Sequence, residues 1–196
     1  MHAPERRLVL ASTSRYRREL LGRLGLPFEA AAPAYREEHD LDLPPEALVA
    51  HLAREKARSL TPRFPDALLL GADQVAELDG EVLGKPGDLE RCVAQLGRLA
   101  GRTHRLLTGL CVLDAASGRL EQALDVQVMT MRALPEARLR AYAARDRPFD
   151  CAGGYRVEGP GIALFEAMRG EDFTGIIGLP LTRVVALLAR FGVQVP

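Results

Sequence analysis

The 196-residue chain predicts an α/β fold: a mixed twisted sheet with flanking helices around a central cleft. Three observations lead there. Short continuous apolar runs of strand length, such as "LVLA" and "ALLLGA", alternate with longer segments whose apolar residues recur at helical spacing. Glycine, proline and the Asp79-Gly80 pair punctuate the joins. No repeat, low-complexity tract or linker breaks the pattern, so one domain over residues 1–196, in one or two lobes, is expected, with length enough to bury a core.

Each element has its own warrant. Leu8 to Ser12 reads as a buried first strand, and Arg17 to Leu24 as a helix with Leu20, Leu21 and Leu24 on one face and Gly25 as its stop. "PFEAAAPA" gives a short strand running into a polar loop with prolines. "PEALVAHLAREKARSL" is an amphipathic helix with Leu48, Leu52, Ala53 and Ala57 inward and Lys56 near its carboxyl end. The run "ALLLGA" predicts a buried strand ending at Asp73, followed by a hairpin through Asp79-Gly80, a favoured type I′ pair. Lys85 falls in the glycine loop after it, and "DLERCVAQLGRLAG" is the next helix. Residues 103–134 read as two long strands turning at Ser117-Gly118, and "PEARLRAYAAR" as a helix with Pro135 in its first turn. "DCAGGYRVEGPG" is a glycine-dense loop, "IALFEAMRG" a strand, and "PLTRVVALLARFG" a closing helix that starts at Pro180.

Composition narrows the function. Acids and bases balance at 26 each without a long single-sign block, which argues against general nucleic-acid binding or a membrane-surface role. The apolar runs fall far short of a membrane span, and "MHAPERRLVLAS" lacks the apolar stretch and cleavage site of a signal peptide, so a cytoplasmic protein is expected. Cys92, Cys111 and Cys151 are odd in number and widely spaced, against both a disulfide framework and a zinc site. Of the 26 basic residues only Lys56 and Lys85 are lysine. In a chain that uses arginine almost wherever a cation will do, those two lysines are candidates for places that need a compact ammonium.

The candidate chemistry starts from a conflict. Arg15, Arg17 and Arg18 stand where a helix begins, although the first turn carries partial positive charge and disfavours each cation by about 0.3–1 kcal/mol. An anion joining them would resolve it. Ser12, Ser14, Arg17, Lys56 and Lys85, with main-chain N–H groups at the helix start, make a phosphate cradle. The rival reading has Ser14 capping the helix and the arginines in water. Asp73, closing an apolar strand, must be paired, bind a cation or act as a base; strand-end aspartates also serve as structural caps. Glu37, in the acidic loop "REEHD", is either a second carboxylate or a solvated loop residue. A metal bridging carboxylates and phosphate oxygens makes phosphoanhydride hydrolysis a sensible reaction. The sequence has no G-x-S-x-G elbow, no G-x-x-x-x-G-K-[ST] loop and no H-E-x-x-H, and its four histidines are scattered.

The motifs "LASTSRYRRELL", "EKA", "GADQV", "GKP", "DCAGGYRVEG" and "GLPL" occur in the order and approximate spacing of the Maf-like nucleotide pyrophosphatase family, which the chain resembles from about Leu8 to Leu188. The resemblance implies an inosine-triphosphatase-like fold with a central cleft. It also implies a divalent cation, Mg²⁺ or Mn²⁺, and hydrolysis of nucleoside triphosphates to monophosphate and pyrophosphate. By position, Asp73 resembles the family's proton acceptor, Ser12, Arg17, Lys56 and Lys85 its triphosphate contacts, and Glu37 its loop carboxylate; Glu37 and Asp73 are the implied metal ligands. Arg15 stands where a proline is usual, and Arg36 where an acid commonly precedes the loop glutamate.

Three positions separate the family's branches, and here they are Tyr16, Gln74 and Glu158, similar to the branch acting on 7-methyl-GTP rather than on thymidine and uridine triphosphates. The physics agrees: N7-methylation makes guanine cationic, an aromatic face attracts a cation, and a carboxylate can offset the charge and accept N1–H and N2–H₂. The expected protein is thus a house-cleaning 7-methyl-GTP pyrophosphatase, with a dTTP/UTP or other modified-nucleotide enzyme as the alternative. A nucleotide-binding regulator of cell division or septum formation is a reading of another class, and an RNA-binding module lacks the basic, aromatic-bearing stripe it would need. A homodimer is compatible with the chain; neither nucleic acid nor membrane is expected as a partner.

Overall fold

The computed structural model describes residues 6–36 and 41–195. A seven-stranded mixed sheet runs in the order β2-β1-β3-β5-β6-β7, with β4 paired to β3 off that path. β1 (Leu8–Ala11) lies between β2 (Glu29–Ala31) and β3 (Leu68–Leu78), parallel to both. β5 (Thr103–Asp114) and β6 (Leu120–Met131) continue the sheet antiparallel, and β7 (Phe165–Arg169) closes it on β6. β1 and β3 are buried almost throughout because helices cover both their faces, which explains why both read as unbroken apolar runs rather than alternating ones.

Three expectations need correction. The strand expected to end at Asp73 continues to Leu78, because β5 pairs with it from Leu68 to Glu77. The first helix, α1 (Arg15–Gly22), starts two residues earlier than its apolar pattern indicates, since Ser14 caps it. The segment expected to be strand from Ile162 is a 3₁₀ turn over Pro160–Leu164, and β7 begins only at Phe165. The hairpin at Asp79-Gly80 is found: both residues have positive φ, 53° and 87°, and β4 (Glu81–Leu83) runs back along β3.

Packing sets what surrounds the middle of β3. On one face Leu8, Leu10, Leu68 and Leu70 pack with Leu20 and Leu21 of α1 and with Val184 and Leu187 of α6 (Leu181–Ala189). Further along, Ala76 and Leu106 join a second cluster with Leu96 of α3 (Leu89–Leu99) and Leu139 of α4 (Glu136–Asp146). Fully burying each such leucine contributes about 1.5–3 kcal/mol. The opposite face is covered by α2 (Pro45–Arg58), which lies unusually close. A Cβ built on Gly71 would run into the backbone oxygen of Ala53, and one on Gly109 into the backbone of Val49. Only glycine permits that approach.

Candidate active site

The cleft occupies a gap along the edge of β3. β1 pairs with β3 as far as Gly71 and stops at Ala11, while β4 pairs with it only from Ala76 onward. Between those registers β3 has no neighbour on that side among the described residues, and the carboxyl ends of β1 and β4 face each other across the opening. The chain leaving β1 brings Ser12 to Arg17, the chain leaving β4 brings Lys85, and β3 along the gap carries Gln74 on the cleft lining and Asp73, buried, on its opposite face. The result is a cleft of about 410 Å³, within the usual range for a small-molecule site. Ser12, Ser14, Tyr16, Arg17, Lys56, Gln74, Lys85 and Glu158 all line it. Glu37 lies outside the described residues.

At one end the side chains carry phosphate chemistry. Ser14 caps α1 by accepting from the Arg17 N–H at 3.4 Å, while Ser12 accepts from the Ser14 N–H at 3.1 Å. The capping reading of Ser14 is thus found, and it is compatible with a place on the cleft wall. Arg17 Nε donates to the Gly178 carbonyl at 3.0 Å, tying α1 to the turn after α5 (Thr174–Ile177). Lys85 is exposed and has no side-chain hydrogen bond among the described residues. Its neighbour in role is the reverse: Lys56 is buried, and its Nζ donates to Asp73 Oδ1 at 2.5 Å. The close approach of α2 at Gly71 explains how a helical lysine reaches a strand carboxylate inside the fold. Asp73 stands one contact behind the cleft wall, and its Oδ2 has no hydrogen-bond partner among the described residues.

Gln74 points to the other face. Its Nε2 donates to the Gly175 carbonyl at 2.7 Å and to Thr108 Oγ1 at 3.0 Å. A carbonyl can only accept, so the amide is oriented without ambiguity and Oε1 is left as an acceptor, turned toward Gly178. Thr108 pairs across the sheet with Asp125, so a buried polar seam separates the two apolar clusters of that face. Burial raises the Asp125 carboxyl above its ordinary value, and Gln127 donates to it at 2.7 Å. The turn from Asp172 to Gly178 covers this seam: burial alone would raise the Asp172 carboxyl, but the Thr174 hydroxyl, donating at 2.5 Å, and the N–H groups of Thr182 and Thr174 hold it below its ordinary value.

The far end is aromatic and densely charged. The guanidinium of Arg15 lies 4.7 Å from the centre of the Tyr16 ring. Tyr16 Oη accepts from Arg15 at 2.7 Å and from Arg156 at 3.0 Å. Arg156 is held in turn by Asp146, with Nε to Oδ2 at 3.1 Å. Tyr155 forms part of the wall and meets His104 Nε2 at 2.8 Å; burial pushes the His104 imidazole down to about 4. Cys151 also lines the cleft, with its thiol pushed up to about 12 by burial, so it stays a neutral thiol there. Cys92 and Cys111 are buried and unreactive for the same reason.

Arg156, Asp146 and Tyr155 are site residues that the sequence reading passed over. Arg156 sat inside the glycine-dense stretch already noted, but one arginine among so many carries no local mark, and Asp146 is the last residue of a helix with no apolar pattern around it. Among the described residues no helix is long and apolar enough to cross a membrane.

The model of the Maf-like protein family matches residues 7–191. A protein of Syntrophotalea carbinolica named 7-methyl-GTP pyrophosphatase is 48% identical over 96% of this chain and 96% of its own. Proteins of the same name from Pseudomonas aeruginosa and Xanthomonas campestris pv. campestris are 47% and 46% identical, over 96% and 97% of this chain and 98% of each of theirs. The solved structure of the Staphylococcus aureus Ham1 protein overlays with a TM-score of 0.46 at 12% identity, covering 65% of this chain and 73% of that one.

Proposed function

Because this chain belongs to the Maf-like protein family, we propose that it is a nucleoside triphosphate pyrophosphatase acting on 7-methyl-GTP. The observation that carries the reading is the buried Lys56–Asp73 pair at the edge of a cleft whose walls bear Ser12, Arg17 and Lys85. A surface carboxylate could be a cap, but one held beside an ammonium, with its second oxygen unengaged by the described residues, suits a proton acceptor. An ammonium has three donors, so Lys56 can hold Asp73 and a phosphate oxygen together.

In the proposed reaction water attacks the α-phosphorus, Asp73 takes its proton, and the bond to the α–β bridging oxygen breaks so that pyrophosphate leaves. Arg17, Lys56 and Lys85 offset the charge that develops on the phosphate oxygens. The α1 amino terminus adds the main-chain N–H groups of its first turn that the Ser14 cap does not take. Of the three arginines at that helix start only Arg17 faces this anion; Arg15 lies on the Tyr16 ring, and Arg18 is exposed and outside the cleft lining. Among the described residues no cluster of three metal ligands stands ready-made, and a cation of the magnesium type needs none, taking one or two carboxylates and completing its shell with phosphate oxygens and water. Asp73 fits that donor set, and the bound cation would supply Lewis-acid stabilisation of the phosphates.

Base selection falls to the aromatic end. The Arg15 guanidinium over the Tyr16 ring is a cation–π contact of the kind a 7-methylated guanine would make, which supports this reading. Gln74 offers an acceptor, and Glu158 and Asp150 on the wall supply carboxylates for N1–H, N2–H₂ and the positive ring. The purified protein should be screened with 7-methyl-GTP and the ordinary triphosphates in the presence of Mg²⁺ or Mn²⁺. 7-Methyl-GTP should be the best substrate, the first products should be monophosphate and pyrophosphate, and hydrolysis in ¹⁸O water should label the monophosphate. Release of orthophosphate first would refute α-phosphorus attack.

A further inference from the structure

Arg156 is fixed more firmly than a solvent-facing arginine needs to be. Its Nε donates to Asp146 Oδ2 at 3.1 Å, and its Nη2 lies 2.9 Å from Asp146 Oδ1 and also donates to the Asp146 carbonyl. Its backbone N–H donates to Tyr142 Oη at 2.9 Å, and that hydroxyl donates to Asp146 Oδ2 at 2.9 Å. Gly161 closes over this arrangement: a Cβ there would strike the Arg156 carbonyl oxygen and the Tyr142 hydroxyl. α4 therefore grips Arg156 by backbone and side chain at once. The guanidinium fork is rigid, so holding two of its nitrogens aims the third. That third nitrogen, Nη1, meets Tyr16 Oη at 3.0 Å, a contact between residues 140 apart in the chain that both line the cleft.

We infer that Arg156, anchored by Asp146, is a positioning residue for base selection: it sets the tilt of the Tyr16 ring through the ring's hydroxyl and acts on the nucleotide through that ring. The inference rests on the reading of Tyr16 as the base platform. An aromatic platform selects by the orientation of its face, and a ring free to turn about χ1 and χ2 loses that selectivity while keeping its apolar area. Arg15 also bonds the Tyr16 hydroxyl but is itself exposed and has no other side-chain hydrogen bond among the described residues. Arg156 thus supplies the fixed reference.

The test is a double-mutant cycle of Tyr16→Phe and Arg156→Met, with Arg156→Lys as the conservative variant. Dissociation constants for 7-methyl-GMP, GMP, dTMP and UMP are measured by calorimetry, with KM and kcat on the matching triphosphates. Product binding keeps the readout independent of turnover. Each single variant should lose about tenfold of the wild-type preference between its best and second-best base, with the loss in the Arg156→Met enzyme falling on KM more than on kcat. The double variant should lose no more than either single, and Arg156→Lys should recover part of the loss. Losses that multiply in the double variant would put Arg156 on the substrate directly and overturn the inference. So would full preference in Tyr16→Phe, a variant that disturbs no buried charge and leaves the test intact should Arg156→Met fail to fold. A wild-type protein that favours another base overturns the 7-methyl-GTP reading alone, since the cycle then runs on that base; a wild-type protein that distinguishes none overturns both.

Discussion

The two ends of the cleft are built differently. At the phosphate end the decisive contact, Lys56 to Asp73, joins a long helix to the middle of the sheet and is almost fully buried. At the base end Tyr16, Arg156 and Glu158 stand on a first helical turn and a glycine-dense loop, half-buried or exposed, and Tyr16 and Arg156 are steadied by other side chains. The difference teaches a division of labour. The acid–base pair that must be placed to a fraction of an ångström is set on the most rigid elements, whereas the groups that choose among similar bases sit where substitution does not disturb the core.

The sharpest test of that division is Asp73→Asn, which keeps the shape and the hydrogen bond from Lys56 but removes the charge and the base. A loss of about 10²-fold or more in kcat is expected, with the protein still folded by circular dichroism. Near-wild-type turnover would break the comparison at its strongest point and move the base elsewhere, with Glu37 the first candidate.

Lys56→Arg should come next, at about 10²-fold in turnover, because a longer planar cation cannot present three donors from one compact centre inside a closed contact. Lys85→Arg makes the same chemical change at an exposed loop position and should cost only about tenfold. Equal losses at the two lysines, in parallel steady-state assays, would mean that burial does not set the sensitivity.

Glu158→Gln, at the base end, should move selection rather than rate. A several-fold fall in the kcat/KM ratio of 7-methyl-GTP to GTP is expected, carried by KM, since the carboxylate is exposed and its interaction with a cationic base is screened by solvent. A matching fall in kcat would place Glu158 with the chemistry.

The smallest effect on turnover is expected from the wall behind the base end, where it appears in stability instead. His104 has its folded pKa depressed from the ordinary 6.5 to about 4, chiefly by burial and opposed by Glu77. The native state therefore binds fewer protons than the unfolded chain between those values. Stability should be full above about pH 6.5 and fall as pH drops toward 4, by on the order of 3 kcal/mol over that range. Urea titrations from pH 7 to 5 should record the slope, and His104→Gln should flatten it.

Much of this could be read along the chain, and the reason is local. Apolar runs, caps and turn dipeptides act over a few residues, so β1, α2, the Asp79-Gly80 hairpin and the long β5–β6 pair were all legible. The rarity of lysine marked Lys56 and Lys85 without any fold at all. What could not be read depends on register between distant strands. β3 passes Asp73 without ending because β5 pairs with it, and the cleft exists because β1 stops opposite Gly71 while β4 begins opposite Ala76. Neither fact has a signature in the residues around Asp73. The approach of α2 that joins Lys56 to Asp73 leaves one local mark, Gly71 inside an apolar strand, which does not name the partner, and the grip of Asp146 that carries Arg156 to Tyr16 leaves none. A side chain's type is written where it stands, but its partner is decided by packing among elements far apart in sequence, and only the closed tertiary structure holds that information.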